Sequence, residues 1–591
     1  MLTFTHGKIG QPVSWRGFNS FRTDSEYTSH SFAEFVKQMT MDTDNSSSSK
    51  SGHIRLWTIA ILGLLLLSLG LAWISSHAQG FNGFISFLSV LILASGLLWG
   101  CWRLMRSEKL PTWLAALVVS AALLRLAIGV FWFVALPVWG HGTQAEQAGY
   151  IMADAYARDQ AAWKLAESGK PLWTAFKNQR QVDQYGGLLF TSALVYRCLG
   201  GSSHQPLLMV VVTAAFSSLG VLFTWALARR AWGITAGWLA AWILALYPEA
   251  VLLGSSQMRE AFTITLTVVA FYGLLRFRSE HSPASLAWIS IPILLYLPFS
   301  PLFAALLTAA LILTAILTSG TINSNILRKR RFWLVLGSLA ILILAGLWLA
   351  LKQFTPAGMN NPLEMLSWWL RKSAHLQAYL AEHASGWIQK IFDNTPEWTH
   401  LPLLLAYGVV QPFLPAALVV GSQAPIWRWV TLWRSLGWTI LLAFMVYAPF
   451  LAWRRKGDPG FARALVLVVW VVILVASFRG GADMWDNPRY RATYAGLQAA
   501  LAAWVLFQNR RGSDPWLRRA FLFVSAIVVW FLPWYLRRYT AFEWPVVDPF
   551  KTFGLGFFTA CLLTLWDWII THNKSKGPNP GKVVNKDNAI I

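Results

Sequence analysis

Charge and sulfur are scarce in this sequence, and each scarcity removes a class of protein. Charged residues make up 13% of the 591 positions while hydrophobic residues reach 56%, a balance outside that of water-soluble globular domains. The three cysteines, Cys101, Cys198 and Cys561, are scattered; with no CxxC pair and no even framework, neither a disulfide scaffold nor a thiolate metal site is indicated. They read as small apolar fillers. Acidic residues are the scarcer charge, 26 against 49 Lys and Arg, for a net charge of +23. That excess does not point to nucleic acid, because the basic residues cluster in short loops between apolar runs, where membrane orientation accounts for them. A sizeable polar domain of the kind that binds a nucleotide sugar is also missing. About fifty polar residues precede the first apolar run, too many for a cleavable signal, so that run is expected to be a retained span.

What the chain has in abundance is apolar runs of about twenty residues, each long enough to cross a hydrocarbon core of roughly 30 Å as a helix. Lipid cannot satisfy a bare backbone, and these runs lack the alternation of a barrel strand. The fold class is therefore all-α, a polytopic membrane protein with about fourteen transmembrane helices. The expected spans lie near 54–76, 82–102, 112–138, 206–228, 233–253, 261–276, 285–298, 301–319, 332–352, 435–453, 461–478, 492–508, 519–536 and 551–570. Residues 1–52 and 572–591 are polar tails, expected to be disordered and cytoplasmic. Between them the reading divides the chain into two N-terminal helices (53–110), a transmembrane module (111–352) whose first outer loop is 139–205, a large outer segment (353–433), and C-terminal helices (434–571).

Orientation comes from six basic clusters that belong on the cytoplasmic side: Arg103, Arg106 and Lys109; Arg229 and Arg230; Arg276 and Arg278; Arg328 to Arg331; Arg454 to Lys456; and Arg510, Arg511, Arg518 and Arg519. For the count to close, the apolar stretch 401–421 must not cross. Pro412 and Pro415 interrupt it, so it is expected to be a re-entrant hairpin or a broken interfacial helix. Arg125 and Asp567 are expected to sit near enough to span ends to snorkel.

The outer segments hold the candidate chemistry. Met152, Tyr156, Trp163 and Ala166 recur at helical spacing, which predicts an amphipathic helix on the outer membrane surface. From periodicity alone, Asp154 and Arg158 read as an i,i+4 ion pair. The segment from Asp154 through Arg158, Asp159 and Trp163 to Gly169 resembles the first outer loop of lipid-linked-sugar glycosyltransferases of the GT-C class. It is most similar to the branch of the protein mannosyltransferases and the aminoarabinose transferase of lipid A, glycosyltransferase family 39. Downstream, Asp183-Gln-Tyr-Gly-Gly through Leu199-Gly200 resembles that family's second juxtamembrane helix, with Gln184 and Tyr185 standing where the family has a basic residue or His followed by Pro. Ser255 to Glu260 places Glu260 where relatives carry a second acidic residue, and Arg489-Tyr490-Arg491 is similar to the family's late Arg-Tyr element. The two helices before residue 112 have no counterpart in the family plan.

The resemblance implies extracytoplasmic juxtamembrane helices and an inverting transferase that takes a sugar from a polyprenyl-phosphate donor at the outer face of a bacterial plasma membrane. The acceptor is a protein, lipid or glycan. Asp154, with Glu260, is the candidate catalytic carboxylate, since a carboxylate in reach of an acceptor hydroxyl or amine is the ordinary base. Arg259, Arg489 and Arg491 are candidates for the departing phosphate, because guanidinium binds phosphate oxygens in a bidentate way. Asp159, Asp183 and Tyr185 complete the substrate-binding set. No cofactor is assigned; His375 and His383 are too far apart for one helical ligand pair, and the remaining metal reading is a divalent cation on Asp154 and Glu260. Two other functions stay open: a transporter or lipid flippase, which calls for ionisable residues deep in spans, and a ligase or polymerase of lipid-linked oligosaccharides, which would use the segment 353–433.

Overall fold

The computed structural model describes residues 50–75, 80–177, 182–318, 330–356, 386–420, 424–455, 460–480, 487–512 and 514–576, with scattered positions between 358 and 379. Both polar tails, apart from the helix ends at Lys50 and Lys576, lie outside these residues, as do His383 and, of the basic clusters, Arg328, Lys329 and Lys456. The chain divides into two units, residues 1–66 and 67–591. Of the first, the described part is the opening stretch of helix α1 (Lys50–Ser75).

The protein is an all-α, multi-pass integral membrane protein. Its second unit continues with α2 (Gly80–Leu104), α3 (Thr112–Trp139), α4 (Ala153–Glu167), α5 (Gly187–Leu199), α6 (Pro206–Trp232), α7 (Ile234–Leu246) and α8 (Pro248–Gly254). Next come α9 (Glu260–Glu280), α10 (Pro283–Tyr296), α11 (Pro301–Thr318), α12 (Arg330–Phe354), α13 (Glu397–Val410) and α14 (Leu414–Val419). The chain closes with α15 (Pro425–Arg454), α16 (Gly460–Gly480), α17 (Asn487–Ala492), α18 (Ala495–Gly512), α19 (Pro515–Tyr539) and α20 (Pro549–Lys576). Each run expected to span coincides with a helix or, at 233–253, with the bent pair α7 and α8. Among the described residues, 10 helices are long and apolar enough to cross a membrane, or 11 if that pair counts as one span. Helix α10, at 14 residues, rises only about 21 Å and falls short of a full crossing.

The bundle is built around α6 and α9, whose apolar windows are 89% buried, against 11% for the peripheral α20. Helix α18 packs against both so closely that a Cβ on Gly496 would lie 2.1 Å from Val268 Cγ2 and 2.8 Å from Thr224 Oγ1. Only glycine fits there.

Two breaks in the spans are stabilised by arginine. At the 57° bend between α7 and α8, Pro248 has no N–H to give the Leu244 carbonyl. Arg125 supplies the missing donor, its Nη2 lying 3.4 Å from Leu244 O, while Nη1 donates to Ala121 O at 3.0 Å. Arg125 therefore does not snorkel: it is midway along α3 and 1% exposed, because a freed carbonyl inside the bundle is a stronger attraction than the distant interface. The stretch 401–421 is broken as expected, α13 ending at Val410 and α14 starting at Leu414. Arg491 donates to the carbonyls of Gly408 and Gln411 at that break.

Among the described residues, the basic loops after α2, α6, α9 and α15 gather at one end of the bundle. Glu108, buried in the loop after α2, pairs with Arg229 and Arg230 and accepts from Tyr272 Oη at 2.7 Å. Arg230 and Arg276 share Glu280. Trp232 packs at a tilt near Phe461 and Trp504, which brings the Arg454–Asp514 pair to the same end. Helices α6 and α9 run between this end and the one where Pro206 and Glu260 lie, and the 27 residues of α6 set the two about 40 Å apart.

Candidate active site

The far end of the bundle is where the sequence candidates converge. Its first element is the loop after α3, a capping box in which Glu146 N–H donates to Thr143 Oγ1 at 3.3 Å and Thr143 N–H donates to Glu146 Oε2 at 3.1 Å. The other Glu146 oxygen accepts from Trp427 Nε1 at 2.5 Å, fixing α15 to this loop. Burial pushes the Glu146 carboxyl up, but the Thr143 amide, the Trp427 indole, the Thr143 hydroxyl and His141 together hold it below its ordinary value of 4.5.

Asp154 stands in the first turn of α4, where a carboxylate also meets the positive end of the helix dipole. Its side chain is 55% exposed, and its Oδ2 accepts from Arg489 Nη1 at 3.2 Å and Nη2 at 3.3 Å. The two residues are 335 positions apart in sequence. They share the wall of a cleft of about 480 Å³ with His141, Glu146, Tyr150, Trp427 and Thr431. The expected Asp154–Arg158 pair within the helix does not form. Arg158 is turned inward and buried, its Nε 3.9 Å from Asp183 Oδ1 and its Nη1 3.5 Å from Gln257 O. Burial lowers its pKa, and Asp183, Glu260 and Asp154 oppose that effect while Arg259 adds to it.

Asp183 also accepts from the Leu189 N–H at 3.0 Å, tying down the first turn of α5. Glu260 opens α9 at 2% exposure, with Oε1 3.7 Å from Arg259 Nε. Its Oε2 has no hydrogen-bond partner among the described residues. Asp154, Asp183, Arg259, Glu260 and Arg489 thus belong to one neighbourhood of alternating charge, joined by Arg158.

Three sequence candidates are placed elsewhere. Asp159 is 1% exposed and accepts from Tyr150 Oη and Tyr196 Oη, both at 2.5 Å, and from His204 Nε2 at 2.7 Å; these donors join α4 to the preceding loop, to α5 and to the loop after it. Burial and the Asp159 charge push the Tyr150 hydroxyl well above its ordinary value. Arg491 is fully buried, with its guanidinium 3.4 Å from the Trp438 ring centre, and desolvation lowers its pKa to about 10. Tyr185 is half-buried on the turn before α5 and does not line the cleft. The helix α4 itself departs from expectation, since its buried side is Ala155, Arg158, Asp159, Ala162 and Leu165, packed on protein rather than laid on lipid. It faces α5, whose polar anchors outweigh a shallow apolar stripe.

Sequence alone did not single out Glu146, its contact with Trp427, or the pair Glu249–Arg434. The first had a legible signal, the Thr-x-x-Glu spacing of a capping box. The other two have none, because the partners are far apart in sequence. Arg434 Nε and Nη2 reach the two Glu249 oxygens at 2.7 and 2.9 Å, with both side chains 3% exposed. Among the described residues no group of three or more His, Cys, Asp or Glu forms a metal-binding cluster.

No protein-family model matches the chain, and no curated protein does. Among solved structures it is similar to the archaeal oligosaccharyltransferase AglB from Archaeoglobus fulgidus in complex with an inhibitory peptide and a dolichol-phosphate, at 15% identity and a TM-score of 0.37, over 79% of this chain and 57% of that one. The Archaeoglobus fulgidus oligosaccharyltransferase tethered to an acceptor peptide matches at 14% identity and 0.39, over 80% and 57%. Its apo form matches at 15% and 0.38, over 76% and 56%. The chain thus spans a little over half the length of the solved chains it matches.

Proposed function

We propose that this chain is a GT-C-type glycosyltransferase of the membrane that moves a sugar from a polyprenyl-phosphate donor to an acceptor at the bundle end opposite the basic loops. The positive-inside rule makes that end extracytoplasmic. The observation that carries the reading is the accessible Asp154 carboxylate on the wall of a cleft of about 480 Å³, gripped by Arg489. A base and a phosphate-binding cation are what such a reaction requires in one place.

In this reading Asp154 accepts the proton of the acceptor O–H or N–H as the acceptor atom attacks the anomeric carbon. The C1–O bond to phosphate breaks on the opposite face, its electron pair passing to the phosphate oxygen, and the anomeric centre inverts. Arg489 stabilises that developing charge, with Arg259 behind it. Donor arrival also frees the base, because the phosphate competes with Asp154 for the Arg489 guanidinium. Asp159 serves as the brace of α4, and Arg491 as the clasp of the α13–α14 break.

The buried Glu249–Arg434 pair is the feature that favours a transporter, because ionisable groups deep in spans mark transport pathways. One experiment separates the two. Purified protein in nanodiscs is given an isoprenoid-phosphate sugar and candidate acceptors, and Asp154→Asn is compared with wild type. Loss of the glycosidic product by about 10²- to 10⁴-fold is expected for removal of a general base. Wild-type turnover in the variant removes Asp154 from the chemistry, and substrate movement without any glycosidic product selects the transporter.

A further inference from the structure

A second cavity, of about 320 Å³, lies between α11 and α16. Its walls are apolar: Leu306 and Leu313 on one side, Val471 and Val475 on the other, each between 38% and 54% exposed on the lipid-facing surface of the bundle. From Val468 to Arg479 it follows α16 for about 16 Å. Among the described residues, polar groups line it at the end nearest the candidate active site, with Arg479, Tyr490 and Tyr494.

That end adjoins the cleft. The Arg479 guanidinium lies 4.8 Å from the Tyr490 ring centre and the Arg489 guanidinium 5.2 Å from the same ring. Arg489 Nη2 is 3.4 Å from Tyr490 Oη and 3.3 Å from Asp154 Oδ2. Tyr490 is therefore the partition between the apolar groove and the catalytic cleft, with a cation on either side. An amphiphile laid in the groove would bring its first polar bond to Arg479 and its head to the Tyr490–Arg489 boundary.

We infer that the groove between α11 and α16 holds the isoprenoid chain of the donor and that Arg479, together with Arg489 beside the same Tyr490 ring, binds its phosphate. This rests on the transferase reading for the identity of the head group, and on the groove itself for the tail. A basic guanidinium at the end of a wholly apolar wall selects an anionic head on a hydrocarbon chain, and its fork of N–H donors matches phosphate oxygens. Arg479 is then a substrate-binding residue that the Arg489–Tyr490–Arg491 element alone does not include.

The test is equilibrium binding to the full-length chain in detergent, with farnesyl phosphate, the uncharged farnesol, and dioleoyl phosphatidic acid as probes. Arg479→Ala is expected to weaken farnesyl phosphate at least tenfold and leave farnesol unchanged, with Arg479→Lys in between. Val475→Trp, which fills the groove, is expected to weaken both isoprenoids at least tenfold. Wild-type farnesyl phosphate affinity in Arg479→Ala overturns the assignment, as does displacement of farnesyl phosphate by an equal concentration of phosphatidic acid, which would make this a general lipid-contact surface. A chain that binds as expected yet forms no glycosidic product sinks the transferase reading and leaves the groove standing; one that forms product with unchanged binding in Arg479→Ala does the reverse.

Discussion

Replacing Glu249 by Ala strips the carboxylate from a guanidinium that has no route to water. Arg434 is 3% exposed, its two donors reach Glu249 at 2.7 and 2.9 Å, and the fully buried Arg491 guanidinium lies in the same neighbourhood. Two cations would then share a low-dielectric interior without the Glu249 carboxylate between them. Breaking a buried ion pair by deleting one partner costs about 3–5 kcal/mol, whereas replacing both partners by apolar residues of similar volume is close to neutral. The set is therefore Glu249→Ala, Arg434→Ala and the double variant Glu249→Leu with Arg434→Met. Each single change should lower stability by about 3–5 kcal/mol and the double by no more than about 1 kcal/mol. Intrinsic tryptophan fluorescence through thermal or denaturant unfolding in detergent measures this. The cleft responds too, since Trp427 and Thr431 lie on α15 within two turns of Arg434, and α8 leads from Glu249 into the Ser255–Glu260 turn. Single variants that stay within about 0.5 kcal/mol of wild type, or a double variant whose loss equals the sum of the singles, would refute the reasoning.

Three further outcomes are expected. Arg489→Lys keeps the charge but loses the forked geometry, so sugar transfer should fall by about tenfold, while Arg489→Ala should cost about 10²- to 10³-fold in steady-state turnover. Tyr196→Phe removes one of the donors that satisfy the buried Asp159 carboxylate and should cost about 1.5–3 kcal/mol in detergent unfolding; a loss below 0.5 kcal/mol would mean that Asp159 is not the brace described. Gly437→Ala places a Cβ 2.5 Å from the rigid Pro248 ring, forcing α15 away from α8 at a cost of about 1–3 kcal/mol, read as a drop in the unfolding midpoint.

Much of the architecture was written in local composition. Twenty-residue apolar runs dictate helices because lipid offers the backbone no partner, and the Lys and Arg bias of short loops dictates which ends lie together. Asp154, Glu260 and Arg489, singled out from the sequence as candidates, lie in one neighbourhood of the fold, and the stretch 401–421 breaks beside Pro412. It misjudged Arg125 because hydropathy does not record which carbonyl a distant proline leaves unsatisfied. Asp154 and Asp159 could not be told apart by residue type. Five residues along an α-helix turn the side chain through about 500°, leaving the two about 140° apart. One therefore faces the cleft and Arg489, the other Tyr150, Tyr196 and His204. Sequence alone thus determined the spans, their class and the chemical types available, because these depend on each segment's exchange with lipid or water. Tertiary structure decided which charges meet, as with Asp154 and Arg489 across 335 residues or Glu249 and Arg434 across 185. Such pairings depend on the packing of helices brought together from distant parts of the chain, and no local pattern carries that information.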